Sequence, residues 1–172
     1  RKKRISSSLE DGIFYAILLE AFLIALAPGW ATAALLLGVV LWLVRLKMDP
    51  RARRFRHLPF DLPIAIFVLL GAASIFVSPD AAFSFYNYYN LVGVYVLTYL
   101  LIGQNVTRRE QAEKIVYALG LAALCVVLYG FYQYIFGIDT SAMKWVDGEA
   151  FPELKKRVFS TWENPNILAG YL

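Results

Sequence analysis

The sequence predicts an all-α polytopic membrane protein with five complete transmembrane helices, the start of a sixth, and a cytoplasmic N-terminus. Of the 172 residues, 59% are hydrophobic and only 17% are charged, against about 25% charged in a typical soluble domain. The apolar residues come in long blocks, which excludes a disordered chain and is typical of membrane-spanning helices. The net charge of +4 comes from basic clusters between those blocks, so it indicates cytoplasmic loops rather than a nucleic-acid surface.

The first apolar block, residues 12–44, is too long for one crossing. A single helix of that length would extend roughly 50 Å, against a bilayer core of about 30 Å. Pro28 and Gly29 lie near its middle, and Pro followed by Gly is a strong turn signal. The block therefore predicts a hairpin of two helices over 12–27 and 30–44. A cleaved signal peptide is the alternative for the first segment, but no small-x-small cleavage site precedes the second.

The remaining apolar blocks predict three further crossings and the beginning of another. The third crossing covers 61–77 and is ended by a Ser-Pro-Asp turn. The fourth covers 85–103, the fifth covers 115–136, and a sixth begins near Asn166 after a hydrophilic stretch. We expect the whole chain, 1–172, to be a single transmembrane helical domain and a piece of a longer protein.

The distribution of basic residues predicts the orientation. Thirteen of the 17 Lys and Arg residues lie in the N-terminal cluster and in the segments at 45–57 and around 104–114, whereas four lie in 137–165. The positive-inside rule then makes 45–57 and 104–113 cytoplasmic and 137–165 an external loop. We interpret the arginine-rich run 51–56 as part of this topology signal, and a patch for lipid headgroups is the alternative.

Few residues outside the external loop suggest chemistry. Glu20 is the only acid in the middle of an apolar helix, where it is either a functional group or a neutral group that bonds a neighbouring helix. No His, Cys, Asp or Glu cluster has metal-ligand spacing, and no Gly-rich phosphate loop appears. We therefore predict neither a metal nor a cofactor.

The segment 157–172, at the end of the external loop, is the most informative part of the sequence. Asn164 is a favourable N-cap, and Pro165 suits the first position of a helix. Lys156 and Arg157 come shortly before that helix, and a helix N-terminus beside an Arg is suited to a phosphate or pyrophosphate. The alternative is a capped helix with a rim of basic side chains.

This segment, from Arg157 through Asn164-Pro165-Asn166 to Leu172, resembles the signature of the bacterial O-antigen ligase and Wzy-type O-antigen polymerase superfamily. In that family an Arg precedes an Asn-Pro-Asn that opens a membrane helix. Where the family commonly has a Gly shortly after the Arg, this chain has Ser160 or Thr161. The resemblance covers 16 residues, and the family's large external loop, with further Arg and His residues, would lie beyond Leu172.

The resemblance implies a glycan transferase of the bacterial cytoplasmic membrane that acts on its outer face in cell-surface polysaccharide biosynthesis. The donor would be a glycan on undecaprenyl pyrophosphate, and the acceptor would be a glycan, a lipid or a protein. Arg157 would stabilise the leaving pyrophosphate, and Lys156, Asn164 and Asn166 would bind substrate. A non-catalytic membrane subunit of a cell-envelope assembly and a transporter are the alternative functions.

Overall fold

The computed structural model describes residues 2–137 and 157–172, and within these ranges the regular structure is entirely helical, which confirms the all-α part of the predicted class. A π-helical turn, Tyr89–Gly93, joins the fourth and fifth α-helices. Short 3₁₀ turns occupy Pro50–Arg53 and Ser160–Trp162. The α-helices are α1 (Lys2–Leu23), α2 (Pro28–Met48), α3 (Asp61–Phe76), α4 (Ala81–Tyr88), α5 (Val94–Asn105), α6 (Arg109–Phe136) and α7 (Pro165–Tyr171).

The predicted number of crossings is wrong. Among the described residues two helices are long and apolar enough to cross a membrane, α2 with 21 residues and α6 with 28, not five and the start of a sixth. Helix α3 has 16 residues, which span only roughly 24 Å of a core of about 30 Å. The predicted fourth crossing is divided between α4, the π turn and α5, and α7 has seven residues. Apolar blocks alone overestimated the crossings because hydropathy reveals neither the length of each helix nor where its hydrogen-bond pattern changes.

The predicted break in the first apolar block exists, but it lies slightly earlier than expected. The chain turns over residues 24–26, and Pro28 is already the first residue of α2. Proline is favoured at this position because its missing N–H would have no partner there and its φ angle is already helical. Pro28 therefore starts a helix and does not form the turn itself.

The chain divides into two compact units, the first formed by Arg1–Ile17 and Thr32–Ala112 and the second by Leu18–Ala31 and Glu113–Leu172.

In the first unit Gly38 allows helices to approach closely. A Cβ atom at Gly38 would lie 3.3 Å from the Cβ of Ala16 and 2.8 Å from Cδ2 of Leu101. A larger residue at this position would therefore require the side chain of Leu101 to move and the contact with Ala16 to widen slightly.

Helix α3 is fastened to the helices that follow it by two tyrosine hydroxyls. Tyr88 donates to the carbonyl of Val68 over 2.8 Å, and Tyr99 donates to Oδ1 of Asp61 over 3.0 Å. A buried tyrosine hydroxyl normally has such a partner. These bonds set the position of α3 within the first unit.

The core of the second unit contains small side chains from α6 and from the turn between α1 and α2, and one leucine from α7. Ala25, Ala122 and Val126 are almost completely buried, and Leu168 of α7 packs with them. Partly buried hydrophobic residues complete this cluster: Phe22, Leu26, Val158, Trp162 and Tyr171. The second unit thus places the segment 157–172 directly beside α6.

Candidate functional site

The predicted cap at the start of α7 is confirmed. Oδ1 of Asn164 accepts a hydrogen bond of 2.8 Å from the backbone N–H of Asn166, and Pro165 occupies the first helical turn. Asn164 itself has extended backbone angles, as an N-cap residue requires. The local prediction succeeded because an N-cap needs only residues that are close in sequence.

The chain approaches this helix through a tight 3₁₀ turn, Ser160–Trp162, whose two ends have unusual backbone angles. The φ angle is 50° at Ser160 and 56° at Glu163. Both values lie in the left-handed region, which disfavours residues with a Cβ atom and favours glycine. Ser160 and Glu163 therefore adopt a backbone conformation that glycine would adopt with less strain.

A buried amide, Gln133 of α6, holds the start of this turn. Its Oε1 accepts from the backbone N–H of Ser160 at 2.7 Å and from that of Phe159 at 3.3 Å. Its Nε2 donates to the carbonyl of Ser160 at 3.3 Å. Since Gln133 is 5% exposed, one side chain satisfies three backbone groups that water does not reach.

Two hydroxyl groups complete the attachment. Ser160 Oγ donates to the carbonyl of Val126 over 2.6 Å, and Thr161 Oγ1 donates to the carbonyl of Ala25 over 2.7 Å. Val126 is in α6, and Ala25 is in the turn between α1 and α2. The 3₁₀ turn is therefore tied both to α6 and to the α1–α2 turn.

An apolar cavity of about 360 Å³ lies next to the segment. It lies between α6, where Gly130 and Phe131 line it, and the residues Val158, Leu168 and Leu172 of the segment. A Cβ atom at Gly130 would lie 3.3 Å from Cγ1 of Val158, so this glycine permits close approach of the segment to α6. The cavity can accept an apolar group. One of its lining residues, Val158, directly follows Arg157 in the chain.

The four predicted site residues lie in different environments. Arg157 is exposed, and the described residues provide it with no hydrogen bond or ion pair. Asn166 is exposed, whereas the side chain of Asn164 is used by the cap. Lys156 lies outside the described residues. Arg157 and Asn166 are thus the two predicted site residues whose side chains are exposed to a ligand.

Sequence reasoning missed Gln133, and it overestimated the donors at the start of α7. The available signal for Gln133 was a single amide in the apolar part of α6 that follows Lys114, because a buried amide must find a partner. The N–H of Asn166, expected to be open to an anion, is taken by Asn164. Glu20 is buried, with 5% of its surface exposed, and its expected role as a neutral, structural group stays a prediction.

No protein family, curated protein or solved structure matches this chain.

Proposed function

We propose that the chain is part of a membrane glycan transferase of the O-antigen ligase and polymerase type. The longer protein implied by the resemblance would transfer a glycan from undecaprenyl pyrophosphate to an acceptor hydroxyl on the outer face of the bacterial cytoplasmic membrane. The observation that carries this proposal is the segment 157–172. Within it, an exposed Arg157 precedes a 3₁₀ turn that Gln133 of α6 holds, and the Asn-Pro-Asn that follows caps and begins α7.

The position of the segment along α6 supports an external site. Arg109 is the first residue of α6, whereas Gln133, which binds the segment, lies in its last turns. Basic residues favour the cytoplasmic end of a membrane helix. The end bearing Gln133 would then be the external end, and Arg157 would lie near it.

The surface of the described helices supports a lipid environment. Large apolar side chains along α6 are exposed, although water would normally disfavour such a surface. They are Val116, Tyr117, Leu121, Leu124, Leu128, Phe131 and Ile135. Lipid around α6 would remove the cost of exposing them.

The reaction requires negative charge to be stabilised. The bond between the anomeric carbon and a pyrophosphate oxygen breaks, and a new bond forms between that carbon and the acceptor oxygen, whose proton passes to a base. The guanidinium of Arg157 has a planar set of donors that matches the oxygens of the departing undecaprenyl pyrophosphate. Arg157 would thereby lower the barrier to departure.

The short length of α7 limits what its N-terminus can add. The helix has seven residues, and its cap already uses the N–H of Asn166. The helix dipole acts mainly through such unpaired N–H groups. The proposal therefore depends on Arg157 more than on the helix dipole. The apolar cavity beside the segment would hold an apolar part of the donor.

The first test is substitution of Arg157 in the full-length protein, with transfer from a lipid-pyrophosphate glycan as the assay. Arg157→Ala should slow transfer by on the order of 2–5 kcal/mol in activation free energy, because it removes one partner of a charge pair that becomes desolvated when the donor binds. Arg157→Lys keeps the charge but loses the planar fork. It should therefore show an intermediate loss.

The matched control is Arg108→Ala, which removes another exposed arginine from the predicted cytoplasmic side. This variant should transfer at nearly the wild-type rate, and membrane insertion of all variants is measured separately. Wild-type transfer by Arg157→Ala would remove the basis of the proposal. Activity that appears only with an added partner protein would favour the non-catalytic subunit.

A further inference from the structure

A second cluster of basic residues lines a polar cavity in the first unit. The cavity has a volume of about 180 Å³. Arg45 of α2 and Arg51, Arg54 and Arg56 of the following loop line it, together with the carboxylate of Glu10. Among the lining residues four positive charges therefore meet one negative charge, and a second carboxylate, that of Asp49, interacts electrostatically with Arg45 and Arg51 from outside the lining.

The loop that bears these arginines is fixed by hydrogen bonds to its neighbours. The backbone N–H of Arg56 donates to Oε1 of Gln104, and Nε2 of Gln104 donates back to the carbonyl of Arg56, each over 2.8 Å. The guanidinium of Arg56 donates to the carbonyls of Gly103 and Val106. Arg56 is thus held at the end of α5 by both its backbone and its side chain.

The beginning of the loop is held to the end of α2. Arg53, which does not line the cavity, donates to the carbonyls of Leu46 and Lys47. The rings of Trp42 and Phe55 pack edge to face with their centroids 5.8 Å apart. Hydrogen bonds and ring packing therefore hold the arginine-rich run 51–56 in a defined position beside the cavity.

The donors of this cavity exceed the acceptors that the protein supplies. Arg45 donates to Glu10 over 2.8 Å and approaches Oδ1 of Asn105 at 3.5 Å. Its Nε is buried and has no hydrogen-bond partner among the described residues. Arg51 and Arg54 are exposed, and the described residues provide neither guanidinium with a hydrogen bond or ion pair.

We propose that this cavity binds the phosphate group of an anionic ligand. The oxygens of a phosphate group accept several hydrogen bonds at once, and their spacing matches the planar set of donors on an arginine side chain. The cavity adjoins the end of α2, one of the two helices able to cross a membrane. The phosphate would therefore come either from an anionic lipid headgroup at the membrane surface or from a soluble phosphate ester.

A role in membrane orientation alone would not require this arrangement. The positive-inside rule depends on the number of Lys and Arg residues in a loop, not on where their side chains converge. Here specific bonds to Gln104 and to the ends of α2 and α5 bring four guanidinium groups around one cavity. The same residues can set the orientation and form the binding site.

The test is ligand-dependent stabilisation of the whole chain, purified in a neutral detergent. The midpoint of thermal unfolding is measured against the concentration of dioctanoyl phosphatidylglycerol, of glycerol 3-phosphate, and of dioctanoyl phosphatidylcholine at constant ionic strength. We expect saturable stabilisation by the first, and none by the zwitterionic lipid. Equal half-saturating concentrations for the first two would assign the site to the phosphate group alone, and binding only of phosphatidylglycerol would assign it to a lipid headgroup.

The variant that tests the residues is Arg51→Gln with Arg54→Gln, because these exposed side chains can change without disturbing the loop. Loss of two arginine–phosphate contacts should raise the half-saturating concentration on the order of tenfold to thirtyfold. Arg51→Lys with Arg54→Lys retains the charge and should give an intermediate value. The control, Arg108→Gln with Lys114→Gln, removes the same charge from two exposed side chains that do not line the cavity, and it should stay within about twofold of wild type.

Three results would overturn the proposal. One is unchanged binding by the Arg51→Gln, Arg54→Gln variant. Another is an equal loss in the control, which would mean that the ligand responds to overall charge. The third is a saturable response to phosphatidylcholine equal to that for phosphatidylglycerol, which would exclude recognition of an anion.

Discussion

At Ser160 a backbone angle and a hydroxyl group have opposite effects on stability. The φ angle of 50° costs a residue with a Cβ atom roughly 1–2 kcal/mol. The hydroxyl bond to Val126 returns about 1 kcal/mol. The two terms nearly cancel, so a serine is tolerated where the backbone favours glycine.

Substitution at Ser160 can separate these terms. Ser160→Gly should lie within about 1 kcal/mol of wild type in unfolding free energy, because relief of strain offsets the lost hydrogen bond. Ser160→Ala keeps the strain and loses the bond, so it should be about 1–2 kcal/mol less stable than Ser160→Gly. The measurement is denaturant unfolding in detergent micelles.

Ser74, an exposed residue within α3, is the control for this comparison. In a helix glycine is less favourable than alanine by roughly 1 kcal/mol. The order should therefore reverse, with Ser74→Ala more stable than Ser74→Gly. Equal stability of Ser160→Ala and Ser160→Gly would contradict a left-handed backbone at that position.

Among the elements, α6 has two faces that differ in character, one exposed and apolar and the other packed within the second unit. One face exposes large apolar side chains such as Leu121 and Leu128, and the other contributes Ala122, Val126 and Gln133 to the second unit. Gln133 is the only side chain of α6 among the described residues that bonds the backbone of the turn before α7. The rigidity of the turn should therefore depend on this amide.

Replacing Gln133 by leucine tests this dependence. Gln133→Leu leaves the buried N–H of Ser160 without its acceptor, which typically costs about 1–3 kcal/mol. Amide hydrogen exchange in a peptide containing Phe159 and Ser160 should accelerate by at least about tenfold. Exchange is followed by mass spectrometry.

The matched variant is Tyr132→Leu, which changes the adjacent, exposed side chain of α6. Exchange at Phe159 and Ser160 should then stay close to the wild-type rate. If Gln133→Leu leaves this exchange unchanged, the turn is held by its hydroxyl bonds and packing, and Gln133 is not its anchor.

For the whole molecule, the positions of α2 and α6 relative to the basic residues predict how the chain would lie in a membrane. Arg45 and Lys47 fall in the last turn of α2, and Arg109 begins α6. The positive-inside rule would place these ends on the cytoplasmic side. The segment 157–172, bound near the far end of α6, would then be external.

Single cysteines test this arrangement in a Cys125→Ala background, which should itself remain unlabelled. Thr107 and Asn166 are exposed residues before and after α6. On intact cells an impermeant thiol reagent should label Asn166→Cys and leave Thr107→Cys unreacted until the cells are opened. Labelling of both positions in intact cells would mean that α6 does not cross the membrane.

Much of the local structure followed from the sequence because its causes are local. The interruption of the first apolar block, the position of α6 and the Asn164 cap each depend on residues close together in the chain. The number of crossings did not follow. The interruption at Tyr89–Gly93 and the short length of α3 leave the mean hydropathy of an apolar block unchanged.

The sequence by itself determined that the chain is helical, that α2 and α6 are apolar enough to span a membrane, and that Arg157 precedes a capped turn. Only the tertiary structure brought Gln133 to Ser160 and four arginines to one cavity. Gln133 and Ser160 are 27 positions apart, and Arg56 and Gln104, whose mutual hydrogen bonds hold the arginine-rich loop, are 48 positions apart. Hydrophobic periodicity and capping act within a few residues, whereas convergence of distant side chains depends on how whole helices pack.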